Sequence, residues 1–474
     1  MARERSPGVR LLFAALVAAA LVIPLMMVYA LVYDRQDQAQ TAQNSIVAGW
    51  AGPQVVAGPI LALPYLAERV TSEVVDGRTV TRTIESREML YIASDRQEID
   101  TAIDPSIKSR GVIHQSVIYD VALSGNANFT LPDDLARLGV DPDQLLLDEA
   151  EVRLPISDPR GIGTETRLSV DGEDVAMRPG MGANASGSGI HGQVDWSDGE
   201  PLSVEFAYNL KGSSSLSVVP RGKETAWTAR STWPHPSFSG SFLPPDDSVS
   251  ISDEGFEASW SVSNLALGES LVRTSEPTLP QPAINDRFSI YPVEAAEGDG
   301  SVATIRLVEP VDLYSLVNRS VKYGFLFIGF TFLAFLMFDI VGGARVASAE
   351  YLLTGAGLVL FFVMLLAFSE MFGFAWAYVL ASGAIIALLT SYSAAVLGTW
   401  RRASVIGAML VGLYALLYVL LNLESWSLVI GSVLLFVALA AVMYATRQID
   451  WSEVNYRPSS KGSEPAGEAS GIPA

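Results

Sequence analysis

The hydrophobic positions of the chain fall into six long runs without charged residues at their centres, and a polar stretch of 285 residues separates the first run from the other five. The first run, 11–33, has 23 residues, enough for about 35 Å of helix, which spans a bilayer. The pattern predicts six transmembrane helices. Their predicted ranges are 11–33, 323–341, 351–369, 374–397, 403–423 and 427–446.

The charges at the ends of these runs predict their orientation. Three arginines precede the first run and two aspartates follow it (Arg3, Arg5 and Arg10; Asp34 and Asp37). Positive residues favour the cytoplasmic side, so residues 1–10 are predicted to be cytoplasmic. The Arg401-Arg402 pair then also falls inside, and the tail 447–474, rich in Ser, Gly, Pro and Glu, is predicted to be cytoplasmic and largely disordered. A cleaved signal peptide is the alternative, but its apolar part would be about 7–15 residues.

The polar stretch 34–318 carries strand signals. Leu202, Val204, Phe206, Tyr208 and Leu210 alternate with mostly polar neighbours, as in a strand with one buried face. The dipeptides Asp76-Gly77 and Asp171-Gly172 are hairpin turn signals. Helical periodicity is confined to 133–138 and 144–149. We predict a multi-domain membrane protein in which a large all-β, sandwich-like domain is inserted between an N-terminal helix and a five-helix bundle. A division of that domain into two lobes near 155–180 is an open alternative.

Composition separates the two parts further. The formal charge is −20 for the chain, and residues 34–318 alone hold 42 acidic and 20 basic side chains. Nucleic-acid binding needs a basic surface, so we expect no nucleic-acid partner. The chain has no cysteine, which excludes disulfides, thiol nucleophiles and thiolate metal sites.

Motifs for chemistry are weak. Gly187–Gly192 spells GxGxxG, but a dinucleotide site needs a helix after it, and the following residues favour a strand. The three histidines, His114, His191 and His235, show no metal-ligand spacing, and no GxSxG elbow is present. We predict no catalytic residue, no cofactor and no metal. A tethered hydrolase is the less favoured alternative.

The predicted membrane helices lack ionisable residues at their centres, which coupled transporters normally need. Glu370 lies at the outer end of the third predicted helix, between two closely linked helices. Solvation at the interface is the favoured interpretation. If the protein transports or handles lipid, Glu370 is the candidate residue, at the mouth of a groove between bundle and outer domain.

Several segments, in order from about residue 46 to 400, together resemble the CreD-type inner-membrane proteins, also called cell envelope integrity proteins. The segments are Gly49-Trp50-Ala51-Gly52-Pro53-Gln54, Gly58-Pro59, Pro64-Tyr65, Ile156-Ser157-Asp158-Pro159-Arg160-Gly161, Trp233-Pro234-His235-Pro236-Ser237-Phe238, Gly240, Phe242-Leu243-Pro244, Gly255-Phe256, Trp260, Val311-Asp312-Leu313-Tyr314, Arg319, Lys322-Tyr323, Tyr351-Leu352-Leu353, Ser369-Glu370 and Gly373-Phe374. The stretches 66–90 and 179–200 look divergent.

The resemblance implies a bacterial inner-membrane protein with a large periplasmic domain, linked to envelope integrity, colicin tolerance and the response of a two-component system. It implies no reaction and no catalytic residue. We therefore expect a non-enzymatic protein that contacts the bilayer and binds an envelope protein, a lipid or a cell-wall partner. Candidate contact residues are Trp50, Gln54, Trp233, His235 and Phe238, although packing in the core is the favoured role for the aromatic ones.

Overall fold

The computed structural model describes residues 7–75, 78–110, 114–133, 135–182, 187–282, 301–308, 313–340, 348–423 and 427–447. The chain divides into two compact units. One combines Met1–Asp37 with Val311–Ala474, and the other is Gln38–Pro310. The predicted tail 447–474 and the turn Asp76-Gly77 lie almost entirely outside the described residues.

The first unit is helical. The helices of the chain are α1 Pro7–Trp50, α2 Asn264–Leu267, α3 Leu313–Lys322, α4 Gly324–Ile340, α5 Ser348–Phe372, α6 Phe374–Leu397, α7 Trp400–Asn422 and α8 Ser427–Thr446. Helix α1 begins in the first unit and ends in the second, α2 belongs to the second, and α3 to α8 belong to the first. Among the described residues, α1, α5, α6 and α7 are long and apolar enough to cross a membrane. Helices α4, with 17 residues, and α8 lie at the second and sixth predicted spans but are not among these four, so the structure supports four of the six predicted spans.

The predicted β-domain, 34–318, lies close to the second unit, Gln38–Pro310, but both of its ends are helical. Helix α1 continues without a break to Trp50, because residues 34–48 are rich in Gln and Ala and contain neither Gly nor Pro. At the other end, Leu313–Lys322 forms α3. Leu313, Leu316 and Val317 repeat at helical spacing, and α3 belongs to the helical unit.

The helical unit has its own apolar core. Val317 of α3, Phe335 of α4, Phe361 of α5 and Leu410 of α7 are fully buried in one cluster. Helices α6 and α7 approach closely at Gly407, where a β-carbon would stand 2.8 Å from Thr390 Oγ1. Small residues allow this kind of close helix packing in membranes.

The second unit is β-rich, which confirms that part of the prediction. Its strands are β1 Gln54–Ala57, β2 Ile60–Val75, β3 Arg78–Ile92, β4 Arg96–Arg110, β5 His114–Phe129, β6 Ala150–Pro155, β7 Ile162–Val170, β8 Glu173–Asp174, β9 Met177–Pro179, β10 Gly189–Val194, β11 Leu202–Ser213, β12 Ser215–Val219, β13 Glu224–Ser231, β14 Pro236–Gly240, β15 Val249–Ser252, β16 Gly255–Ser263, β17 Val272–Arg273 and β18 Ala303–Leu307. They form three sheets, in the orders β1-β12-β18-β14, β17-β3-β2-β6-β10-β9 and β15-β16-β13-β4-β5-β11-β7-β8.

The predicted alternation along β11 is confirmed, since every second residue from Leu202 to Leu210 is buried. The turn Asp171-Gly172 joins β7 to β8 with φ of +50° and +83°, the backbone that a two-residue hairpin turn requires. The predicted helical stretch 133–138 contains one 3₁₀ turn, Leu135–Leu138. The stretch 144–149 contains the 3₁₀ turn Leu147–Glu149 and the last residue of another, Pro142–Gln144.

One apolar core is shared by all three sheets. It includes Leu61 of β2, Val121 of β5, Leu154 of β6 and Ile305 of β18. Because strands from before and after residues 155–180 contribute to this core, the two-lobed alternative does not describe the observed unit.

Candidate functional site

Gln54, the first residue of β1, is a structural residue with no exposed surface. Its Nε2 donates to the Asp158 carbonyl oxygen at 3.1 Å and to the Lys211 carbonyl oxygen at 2.8 Å. Its Oε1 accepts from Ser157 Oγ at 3.2 Å and from the Asp158 amide at 3.3 Å. Both donors and both lone pairs of the amide are therefore used, and Gln54 joins three separate segments. The prediction that it contacts a partner is wrong, because no part of it reaches the surface.

Asp158 stabilises the same meeting point of residues 52–54, 157–158 and 211, which we call the junction. Its Oδ2 accepts from the Gly52 amide at 3.2 Å, and Arg160 donates two hydrogen bonds to the carboxylate, at 2.8 and 2.7 Å. The Arg160 guanidinium and the Gly52 amide keep the pKa of Asp158 below its ordinary value. At Gly161 a β-carbon would stand 2.4 Å from the Lys211 carbonyl oxygen. Two segments that the resemblance singled out thus meet at a single junction.

Trp50, the last residue of α1, is half-buried and lies beside this junction. The ammonium nitrogens of Lys211 and Lys108 lie 4.3 and 4.8 Å from the centre of its ring, within cation–π range. Among the described residues neither lysine has a carboxylate within 4.0 Å, although Asp120 stands opposite Lys211 in the ladder. Two cations with no ion-pair partner among the described residues therefore meet on one half-buried indole in an acidic unit.

The Trp233–Phe238 segment holds strand β18. Trp233 Nε1 donates to the Val308 carbonyl oxygen at 3.1 Å, and the His235 carbonyl oxygen accepts from the Val308 amide at 3.4 Å. Phe238 meets Phe256 edge-on, with ring centres 5.8 Å apart. Packing is therefore the observed role of Trp233 and Phe238, while the side chain of His235 is exposed.

Glu370 lies near the end of α5, in the helical unit. Tyr314 of α3 donates a hydrogen bond to Glu370 Oε1 at 3.3 Å, and Arg319 of α3 donates to the Leu421 carbonyl oxygen at 3.5 Å, near the end of α7. Helix α3 therefore contacts the ends of two bundle helices through polar groups. Its buried Asn318 has an Oδ1 atom without a hydrogen-bond partner among the described residues.

The structure brings together only some of the predicted residues. Trp50 and Gln54 share Lys211, whose ammonium group faces the indole while its carbonyl oxygen accepts from Gln54. The Trp233 segment lies elsewhere in the β-rich unit, and Glu370 belongs to the other unit. Lys108 and Lys211 were missed in the sequence, since 103 positions separate them and no local pattern marks lysines that strand pairing brings to one ring.

Other motifs gain no chemical role. Residues 189–194, the end of the GxGxxG motif, form strand β10, so no helix follows to bind a phosphate. Within the part of the chain that the structure describes, no group of three or more His, Asp or Glu side chains is placed to hold a metal ion.

Comparison with known proteins places the chain in context. The family model "Inner membrane protein CreD" matches residues 6–452. Inner membrane protein CreD of Escherichia coli (strain K12) is 31% identical over 440 residues, which covers 91% of this chain and 90% of that protein. Among solved structures, a "putative nutrient binding protein" of Legionella pneumophila is 8% identical with a TM-score of 0.26, covering 65% of this chain and 84% of that one. The likeness to that structure is too low to bear on fold or function.

Proposed function

The chain belongs to the CreD family of inner membrane proteins, and from that premise we propose that it is a non-enzymatic protein that supports envelope integrity or the envelope stress response. In this proposal the β-rich unit lies in the periplasm and binds an envelope partner, while the helices anchor it in the inner membrane. The support is the family membership, together with a large β-rich unit and four membrane-length helices.

The proposed topology has six spans with both termini in the cytoplasm. Helices α4 and α8 supply the two spans beyond the four of membrane length. The arginines before the first span and the Arg401-Arg402 pair at the start of α7 support this orientation by the positive-inside rule. The polar β-rich unit then follows the first span on the outer side.

The observation that carries the binding proposal is the indole of Trp50 with two lysine ammonium groups within 5 Å of its ring centre. Tryptophan supplies a large rigid contact surface and is enriched where proteins bind one another. The ammonium groups of Lys108 and Lys211 would attract a partner with anionic groups. The rest of the unit is acidic and would repel the same partner. We therefore propose the surface formed by Trp50, Lys108 and Lys211 as the contact site, and name it the Trp50 surface.

The test uses bacteria that lack the protein and show an envelope defect. Full-length variants Trp50→Ala and Lys108→Glu/Lys211→Glu are expected to express normally but to restore the envelope only weakly. Lys223→Glu is the matched control, because Lys223 is an exposed lysine elsewhere in the same unit. In-cell crosslinking with mass spectrometry identifies the partner, and a protein lacking residues 52–308, which keeps α1 and α3 whole, should lose it. Full restoration by both Trp50-surface variants would refute this site.

A second candidate function is lipid handling by the bundle, and the Tyr314–Glu370 hydrogen bond favours it. A carboxylate near the end of α5, contacted by the polar side of α3, could bind the amine of a lipid headgroup. Glu370→Gln would then abolish restoration of the envelope, whereas Glu350→Gln, at the start of the same helix, would not. Full activity of Glu370→Gln would remove the candidate.

A further inference from the structure

A groove lies between β7 and β9, within the β-rich unit, and encloses about 910 Å³. Three unbroken stretches of chain line most of it, 166–168, 174–180 and 187–190. Consecutive residues in a strand point to opposite faces. A wall made of consecutive residues therefore presents the backbone edge of the strand as well as side chains.

One wall is the free edge of β7. Among the described residues, this strand pairs with β11 on one side, and on the other side β8 pairs only with Ser169 and Val170. The Leu168 carbonyl oxygen points away from β11, because it accepts from the Val175 amide at 2.8 Å. In an antiparallel ladder backbone groups alternate in direction, so the N–H and C=O of Thr166 also point away from β11, toward the groove.

The opposite wall is β9, the edge strand of the six-stranded sheet. The Gly180 amide donates to the Gly189 carbonyl oxygen at 2.9 Å, so Gly180 and Arg178 direct their backbone groups toward β10. The N–H and C=O of Met177 therefore point outward. Within the described part of the chain, two strand edges whose outward backbone groups have no strand partner thus line the same groove.

The side chains that line the groove determine which kind of polypeptide segment it would favour. Its lining includes Ile162, Leu168, Val175 and Met177 as apolar groups and Arg167, Arg178 and Asp174 as charged ones. Both arginines are exposed, and neither has a carboxylate within 4.0 Å among the described residues. In a unit with twice as many acids as bases, the groove has a net positive lining.

We propose that this groove binds an extended, acidic polypeptide segment of an envelope protein as an added β-strand. Edge strands with open backbone groups accept such segments, and the main-chain hydrogen bonds supply most of the affinity. Apolar side chains of the bound segment contact the apolar lining residues, such as Leu168 and Met177. Its carboxylates pair with Arg167 and Arg178. This inference rests on the proposed function only in placing the partner in the envelope, and it uses a surface distinct from the Trp50 surface.

The probe is a capped ten-residue peptide of alternating valine and glutamate, measured by fluorescence anisotropy on the full-length protein in detergent. Because the backbone carries the affinity, this generic peptide should bind. The same peptide with an N-methyl group on every second residue loses the donors along one edge and should bind about tenfold more weakly or worse. Equal binding of the two peptides, or no binding of the unmethylated one, would overturn the proposal.

The charge preference is tested by reversal. Arg167→Glu/Arg178→Glu should bind the valine–glutamate peptide about tenfold more weakly. It should now prefer a second capped ten-residue peptide, in which lysine replaces every glutamate. Lys223→Glu should keep the preference of the unchanged protein. Preference of the unchanged protein for the basic peptide would contradict the proposed partner chemistry.

Cell assays separate this inference from the proposed function. If Arg167→Glu/Arg178→Glu loses peptide binding and also fails to restore the envelope, both stand. If it loses peptide binding and restores the envelope fully, a natural strand partner at this groove is refuted, while the proposed function still depends on the Trp50 surface.

Discussion

At the residue scale, the segments that look most distinctive in the sequence are mainly structural. Gln54 makes four hydrogen bonds without any exposed surface, and Trp233 holds β18 through its ring N–H. Sequence alone cannot separate such residues from binding residues, because both kinds are polar or aromatic and sit beside turns. The half-buried indole of Trp50 also donates its ring N–H, to the Tyr119 carbonyl oxygen at 3.5 Å, and it differs only through the two lysines that strand pairing places near it.

Replacing Gln54 with leucine should destabilise the β-rich unit by about 3 kcal/mol, because several buried backbone and hydroxyl groups lose their partners. Hydrogen exchange of segments 52–57 and 156–161 in the full-length protein measures this loss. Gln193→Leu is the control, since Gln193 is exposed on β10. Equal protection of both variants would show that the junction does not depend on the Gln54 amide.

Asp158 makes the same junction sensitive to acid. Its pKa is lowered in the folded protein, so its contribution is complete above the unfolded pKa of about 3.9 and is lost as the pH falls through the folded value. Asp158→Asn should therefore cost about 1 kcal/mol at neutral pH. Hydrogen exchange at neutral and at low pH should show this difference disappearing in acid, and a constant difference would contradict the assignment.

At the scale of elements, the positions of the long apolar helices could be predicted because an uninterrupted apolar run is a local signal. The observed α6, Phe374–Leu397, matches its predicted range. The polar end of α1 and the short α3 were missed, since neither shows a long apolar run. The pairing of strands distant in sequence, such as β4 with β13, leaves no local signal, and so the groove between β7 and β9 could not be foreseen.

The packing of α3 gives a prediction at this scale. Val317 is fully buried, so Val317→Asp would bury an unpaired carboxylate and should cost about 3 kcal/mol or more. Hydrogen exchange should then show loss of protection in 313–322. Ser315→Asp introduces the same acid in the first turn of α3, where a carboxylate is favourable. Similar protection in both variants would mean that α3 is not held by its buried face.

At the scale of the whole molecule, the proposed function depends on the orientation of the chain in the inner membrane. The chain has no cysteine, so single cysteines can be introduced without background. A membrane-impermeant maleimide added to cells with a permeable outer membrane should label Ser270→Cys, in the β-rich unit. It should label Thr399→Cys, before α7, only after the inner membrane is opened. Labelling of Thr399→Cys in intact cells would reverse the proposed topology.

The most direct test of the account is a photo-crosslinking residue at position 108 of the full-length protein in living cells, because Lys108 lies on the Trp50 ring. The account predicts a discrete crosslinked envelope partner that is lost when Trp50→Ala is added and is absent when the same residue is placed at position 223. Identical crosslinks from positions 108 and 223, unaffected by Trp50→Ala, would contradict partner binding at this surface.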